Sequence, residues 1–187
     1  MVSLMSLWLP ITLSAVFVFL ISFVFHSVLK YHSSDFSKVP DEGAVMDALR
    51  KFNIPHGEYL IPRPESQKDM NTPEFKEKLQ KGPTGFLTFW DGSRPEMGKS
   101  LTQWFVYCVV VGVFAAYIAS RALSPGAPYL SVFRFVGASA FLGYTVALWQ
   151  DSIWFKRKWS TSVKNTFDGL VYALLTAGTF GWLWPAA

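Results

Sequence analysis

From Leu101 to Ser120 the chain reads LTQWFVYCVVVGVFAAYIAS, without one formal charge. About 20 consecutive, mostly apolar residues is the length of helix that crosses a bilayer core. Three further segments have that length and character: LWLPITLSAVFVFLISFVFHSVL (7–29), YLSVFRFVGASAFLGYTVALW (129–149) and TFDGLVYALLTAGTFGWLWP (166–185). With the second span taken as 101–123, they define an all-α membrane protein of four transmembrane helices. A small cytoplasmic α+β insert, 31–98, lies between the first and second. The composition agrees: 51% of residues are apolar and only 16% are charged. The aromatic residues gather near segment ends, as in interfacial belts. No basic region precedes the first segment and no small-x-small site follows it, so it reads as a retained helix rather than a cleaved signal. Pro10 sits in its first turn, where a missing N–H costs little.

The stretch DGSRPEMGKS (91–100) imitates a phosphate-binding loop. That loop needs four residues between its first Gly and the Gly-Lys-Ser; here five separate Gly92 from Gly98, and one of them is Pro95. The span that follows places MGKS at a membrane surface. Lys99 snorkels toward headgroups and Ser100 caps the helix start. No nucleotide is expected to bind.

Orientation follows the basic residues. The first connection, 30–100, carries eleven Lys/Arg, and the short third one holds Lys156, Arg157, Lys158 and Lys164. The second has only Arg121. The positive-inside rule then puts the first and third connections in the cytoplasm and both termini outside. Residues 30–100 also contain eleven acidic residues, and this balance argues against a nucleic-acid partner. Lys156, Arg157 and Lys158, between aromatic residues, suit contact with anionic lipids as well as a plain topology signal.

Within the insert, Val45, Leu49 and Phe52 form one face of a short helix that Asn53 and Pro55 stop. Thr72-Pro73 caps a second helix, with Glu74–Lys78 and Glu77–Lys81 pairs and a stop at Gly82-Pro83. EYLI and GFLTFW read as short strands, with a turn at Asp91-Gly92. So small a layer needs the membrane or a partner to complete its core.

The fourth span repeats Gly169, Ala173, Ala177 and Gly181 every four residues, a groove for a closely approaching helix of this chain or of a partner. Gly112, Ala116 and Ser120 form a similar row, as do Ser139, Gly143 and Ala147. Few groups offer chemistry. His26, Asp151 and Asp168 lie near the cytoplasmic interface and are the candidate polar cluster. Each is close to a segment end, and Lys164 can pair with Asp168 one turn away, so a structural role weighs more than catalysis or proton relay. His26 and His32 do not share a helical face. Arg134 snorkels on the outer side. The lone Cys108 gives no disulfide or metal framework, and no metal site is expected.

VPDEGAVMDALRKFNIPHGEYLIPRP, MGKSLTQWFVYC, ALWQDSIWFKRKW and TFDGLVYALLTAGTFGWLWP together resemble an uncharacterised family of bacterial four-span inner-membrane proteins of similar length. The resemblance implies a bacterial source and a four-span protein, and brings no reaction, ligand or catalytic residue with it. The expected function is that of a non-catalytic accessory or scaffold subunit of a larger membrane complex, respiratory or photosynthetic, with other membrane-protein subunits as partners. No cofactor is expected, though pigment or lipid contacts stay open. The alternative is a small membrane enzyme or proton-coupled device.

Overall fold

The computed structural model describes residues 1–90 and 96–187. The expected turn at Asp91-Gly92, and the Gly92–Pro95 part of the imitation phosphate loop, lie outside the described residues. The chain divides into two compact units, Met1–Ser37 with Glu96–Ala187, and Lys38–Pro95.

The first unit is helical. After a 3-10 turn at Leu4–Leu7 comes α1 (Trp8–Phe23), which continues through a π-turn at Val24–Val28. In chain order the insert contributes α2 (Glu42–Arg50), β1 (Gly57–Ile61), α3 (Pro73–Lys81) and β2 (Gly85–Phe89). The helical unit resumes with α4 (Met97–Ala122), α5 (Tyr129–Tyr144), α6 (Trp149–Trp154) and α7 (Trp159–Trp182). Among the described residues, three stretches are long and apolar enough to cross a membrane: Leu4–Val28, Met97–Ala122 and Tyr129–Trp154. The segment expected as a fourth span falls outside that set. Its helix begins at Trp159, seven positions before the expected start at 166, and its first turns carry Lys164, Asn165 and Asp168. Likewise α4 starts at Met97 with Glu96 in the cap position, so Ser100 lies inside the first turn and is not the cap.

Small side chains face inward. On α4, Gly112, Ala115, Ala116, Ala119 and Ser120 are buried, while Val110, Phe114, Tyr117 and Ile118 are exposed. This is the pattern of helices that associate through close backbone approach and leave their large apolar residues to lipid. Toward one end, Leu7, Ile11, Ala115, Val132, Val136 and Phe180 form a core; toward the other, Val18, Phe25, Cys108, Tyr144, Tyr172 and Ala173 do. Two buried hydroxyls return their protons to their own helices, Ser14 to the Ile11 carbonyl and Thr176 to that of Tyr172.

The row Gly169–Ala173–Ala177–Gly181 is not an open groove. The chain's own α5 fills it. A Cβ at Gly181 would stand 2.6 Å from the Tyr129 ring, and a Cβ at Gly137 would stand 3.2 Å from that of Ala177. A Cβ at Gly169 would run into Thr145 and Tyr144. Gly112 receives Ile11 of α1 and Gly143 receives Val111 of α4 in the same way. At Thr145 the helix breaks into a 3-10 turn, Val146–Leu148, before α6.

The second unit pairs β1 with β2 antiparallel, from Gly57 opposite Phe89 to Ile61 opposite Gly85. Asn53 ends the α2 region in a left-handed conformation (φ 44°). Thr72 caps α3 by accepting the Phe75 N–H at 3.3 Å, and Lys81 pairs with Glu77 at 2.7 Å. No described residue of this unit is buried.

Candidate functional site: a histidine–carboxylate cluster

The site forms where α1 ends and α7 has made its first turns. Past Phe23 the backbone widens, and the Leu29 N–H reaches the Val24 carbonyl, five residues back, at 2.9 Å. Such π-turns recur at functional sites. This one buries Phe25 and leaves His26 exposed beside it. Lys30 then adopts a left-handed conformation (φ 53°), which costs a non-glycine residue about 1 kcal/mol. The 3-10 turn that follows, Tyr31–Ser34, brings its side chains to those of α1 and α7.

The side chains of this turn make a dense set of polar contacts. His32 Nε2 lies 2.8 Å from Asp168 Oδ2, and His32 Nδ1 lies 2.7 Å from Asp35 Oδ2. The Tyr31 hydroxyl donates to the other oxygen of Asp168. Lys164 donates to Asp35 Oδ1 at 2.8 Å, to Ser34 Oγ at 2.8 Å and to the Tyr31 carbonyl at 2.7 Å. The His26 ring stacks on His32 with centroids 4.5 Å apart and planes within 3°. His26 Nδ1 donates to the Ser22 carbonyl at 3.0 Å, which leaves Nε2 as the ring's acceptor. Ser22 Oγ in turn accepts the Trp104 indole N–H at 2.9 Å, tying α1 to α4. Phe25 and Tyr172 stack beneath, their centroids 6.0 Å apart.

The electrostatics follow from this packing. Burial alone would push the Asp35 carboxyl up, but hydrogen bonds from Lys164 and His32 and their charges hold it down, at about 2. The Tyr31 phenol is pushed up, first by burial and then by the Asp168 carboxylate that accepts its proton. Both carboxylates are nearly inaccessible, with side-chain exposures of 6% for Asp35 and 5% for Asp168, so each depends on its partners.

Of the three residues singled out in the sequence, two meet here. Asp168 is not a water-accessible end residue: it is buried, because α7 extends well before it. Lys164 turns to Asp35 rather than to Asp168. His26 and His32 do meet, because the chain reverses at Lys30 and helical-face geometry does not apply across that turn. Asp151 stands apart and accepts from Arg157 Nη1 at 3.3 Å. The cations named for lipid contact have protein partners as well: Lys158 donates to Ser37 Oγ at 3.1 Å and Lys156 to the Ile153 carbonyl at 3.1 Å. Tyr31, His32 and Asp35 were assigned by the sequence to the insert, and instead belong to the helical unit. The clue in the sequence was the polar run KYHSSD directly after an apolar span.

Three ligating side chains converge. His26, His32 and Asp168 bring one ligand atom each within 4.8 Å of one another. Comparison with family models, curated proteins and solved structures yields no match for this chain.

Proposed function

We propose that this chain is an accessory subunit of a larger assembly in a bacterial inner membrane. In this reading α7 is a fourth span, both termini are periplasmic, and the insert binds a partner subunit in the cytoplasm. One observation carries it: the insert leaves several of its large apolar side chains uncovered. Met46 is 51% exposed, Phe52 72%, Met70 51% and Trp90 60%. Fully burying a large apolar side chain is worth about 1.5–3 kcal/mol, and a partner that covers part of these side chains gains a share of that. Purification from the native host in mild detergent should bring other chains with it; a clean monomer would refute the reading. Orientation is tested by cysteine labelling at the exposed positions Ser124 and Ser160. Ser160→Cys should label only from the cytoplasm and Ser124→Cys only from the periplasm. The converse inverts the topology.

A second reading, a small membrane enzyme or proton-coupled device, draws support from the cluster of His26, His32 and Asp168. Substituting all three with Asn or Gln separates the two. A stable protein that has lost an activity favours the device, while intact growth and assembly favour the accessory role.

A further inference from the structure

We propose that His26, His32 and Asp168 bind a first-row divalent cation of the zinc or ferrous type. Two imidazole nitrogens and one carboxylate oxygen, with positions left open, is a ligand set such ions take. Donors around one ion at about 2.1 Å stand roughly 3–4 Å from each other. The three residues each offer a ligand atom within 4.8 Å of the others, so an ion draws them together by as much as about 1–2 Å.

The surrounding contacts are those a metal site needs. A ligating imidazole is normally held by a hydrogen bond from its other nitrogen to a carbonyl or carboxylate, which fixes the tautomer and aims the lone pair. Both histidines have this arrangement. His26 gives Nδ1–H to the Ser22 carbonyl and keeps Nε2 as its acceptor, while His32 holds the Asp35 carboxylate through Nδ1 and hydrogen-bonds Asp168 Oδ2 through Nε2, where the ion takes the place of the shared proton. Asp168 is oriented in the same manner, since Tyr31 occupies Oδ1 and leaves Oδ2 facing His32. Lys164 holds Asp35 in turn, so the supports of the site are themselves supported. The rings lie parallel, and a shared ion requires their planes to tilt until both lone pairs converge. His26 supplies that movement: it is exposed, and rotation of an imidazole about its terminal torsion is soft. Its exposed side also leaves room for water as a further ligand. The site does not depend on what the insert binds.

The same atoms allow one other use, a metal-free network in which His32 joins Asp35 to Asp168. Titration of the full-length, tag-free, chelator-treated protein in detergent with Zn²⁺, and with Co²⁺ followed by its visible absorption, distinguishes the two. One ion per chain is expected, with a Zn²⁺-dependent rise in melting temperature. His26→Gln removes an exposed ligand and should keep the fold while weakening binding by about 100-fold. Asp35→Asn, which weakens the support of His32 and the ion pair with Lys164 but removes no ligand, should weaken it by about 10-fold or more. His56→Gln, in the insert, should change nothing. Absence of binding, or binding that His26→Gln leaves intact in a folded protein, would overturn the site and leave the metal-free network.

Discussion

The helical unit and the insert draw on similar apolar residues and treat them oppositely. In the helical unit Leu7, Val18, Val132, Val136 and Phe180 are fully buried, and polar groups such as Asp168 and Ser22 are paired across elements. In the insert, Val45, Met46, Phe52 and Met70 remain exposed although α2 and α3 each end with proper stop signals and the two strands are paired. Local structure is therefore complete in both units, but only one has an interior. A two-stranded ribbon with two short helices is marginal by itself in water. The difference is one of burial: the helical unit holds a packed core, and the partner surface proposed above lies on the unit whose described residues include no buried one.

The sharpest break of this comparison comes from its most buried charge. Asp168→Ala should destabilise the protein by about 3–5 kcal/mol, because His32 and Tyr31 lose the acceptor they were buried against. Unfolding followed by far-UV circular dichroism in detergent measures it. A loss below about 1 kcal/mol would mean that the cluster contributes little to holding the helical unit together.

Next in size is the packed row on α7. Ala177→Leu forces several methylenes against Gly137 of α5 and should cost about 1–3 kcal/mol. Partners that bind the insert should still co-purify. A variant of unchanged stability that loses its partners would return this face to the role of a docking groove.

Parts of this were legible in the sequence. The ends of α3 are written in Thr72, Pro73 and Gly82, which cap, start and stop a helix through local chemistry. Apolar length marked α1, α4 and α5. The start of α7 was not legible, because Trp159–Asn165 is polar enough to pass for a connection and is helical through tertiary contacts such as that of Ser162 with Ser152, 2.6 Å apart. The cluster was half legible. His26 and Asp168 stood out as ionisable groups near span ends. That His32 and Asp35 join them depends on a left-handed Lys30, a conformation with no signature in a lysine.

Asp151 tests the boundary of the site. Among the described residues its ion-pair partner is Arg157, and the two side chains are 39% and 37% exposed. A half-exposed ion pair of this kind is worth about 0–1 kcal/mol. Asp151→Asn should therefore shift stability by no more than that and leave divalent-ion binding unchanged. Weakened ion binding in a folded Asp151→Asn protein would extend the site to α6.

The smallest effect on stability should come with the largest effect on association. Phe52 lies just beyond α2 and is 72% exposed, so its ring contributes little to the folded chain alone. Exposed substitutions away from special features usually change stability by about 0.5 kcal/mol or less. Phe52→Ser should leave the unfolding curve of the isolated protein in place. In an assembly, a large aromatic side chain buried at the centre of an interface is the kind of residue whose removal costs about 2 kcal/mol or more, roughly a 30-fold loss of affinity. Co-purification from the native host should therefore weaken while the helical unit, the cluster and its ion binding are untouched. If the variant instead unfolds the isolated protein, Phe52 is already covered within the chain, and the contrast between the two units is smaller than their exposures imply. If it changes neither stability nor association, the partner surface lies elsewhere on the insert, and the same experiment at Met46 and Met70 locates it.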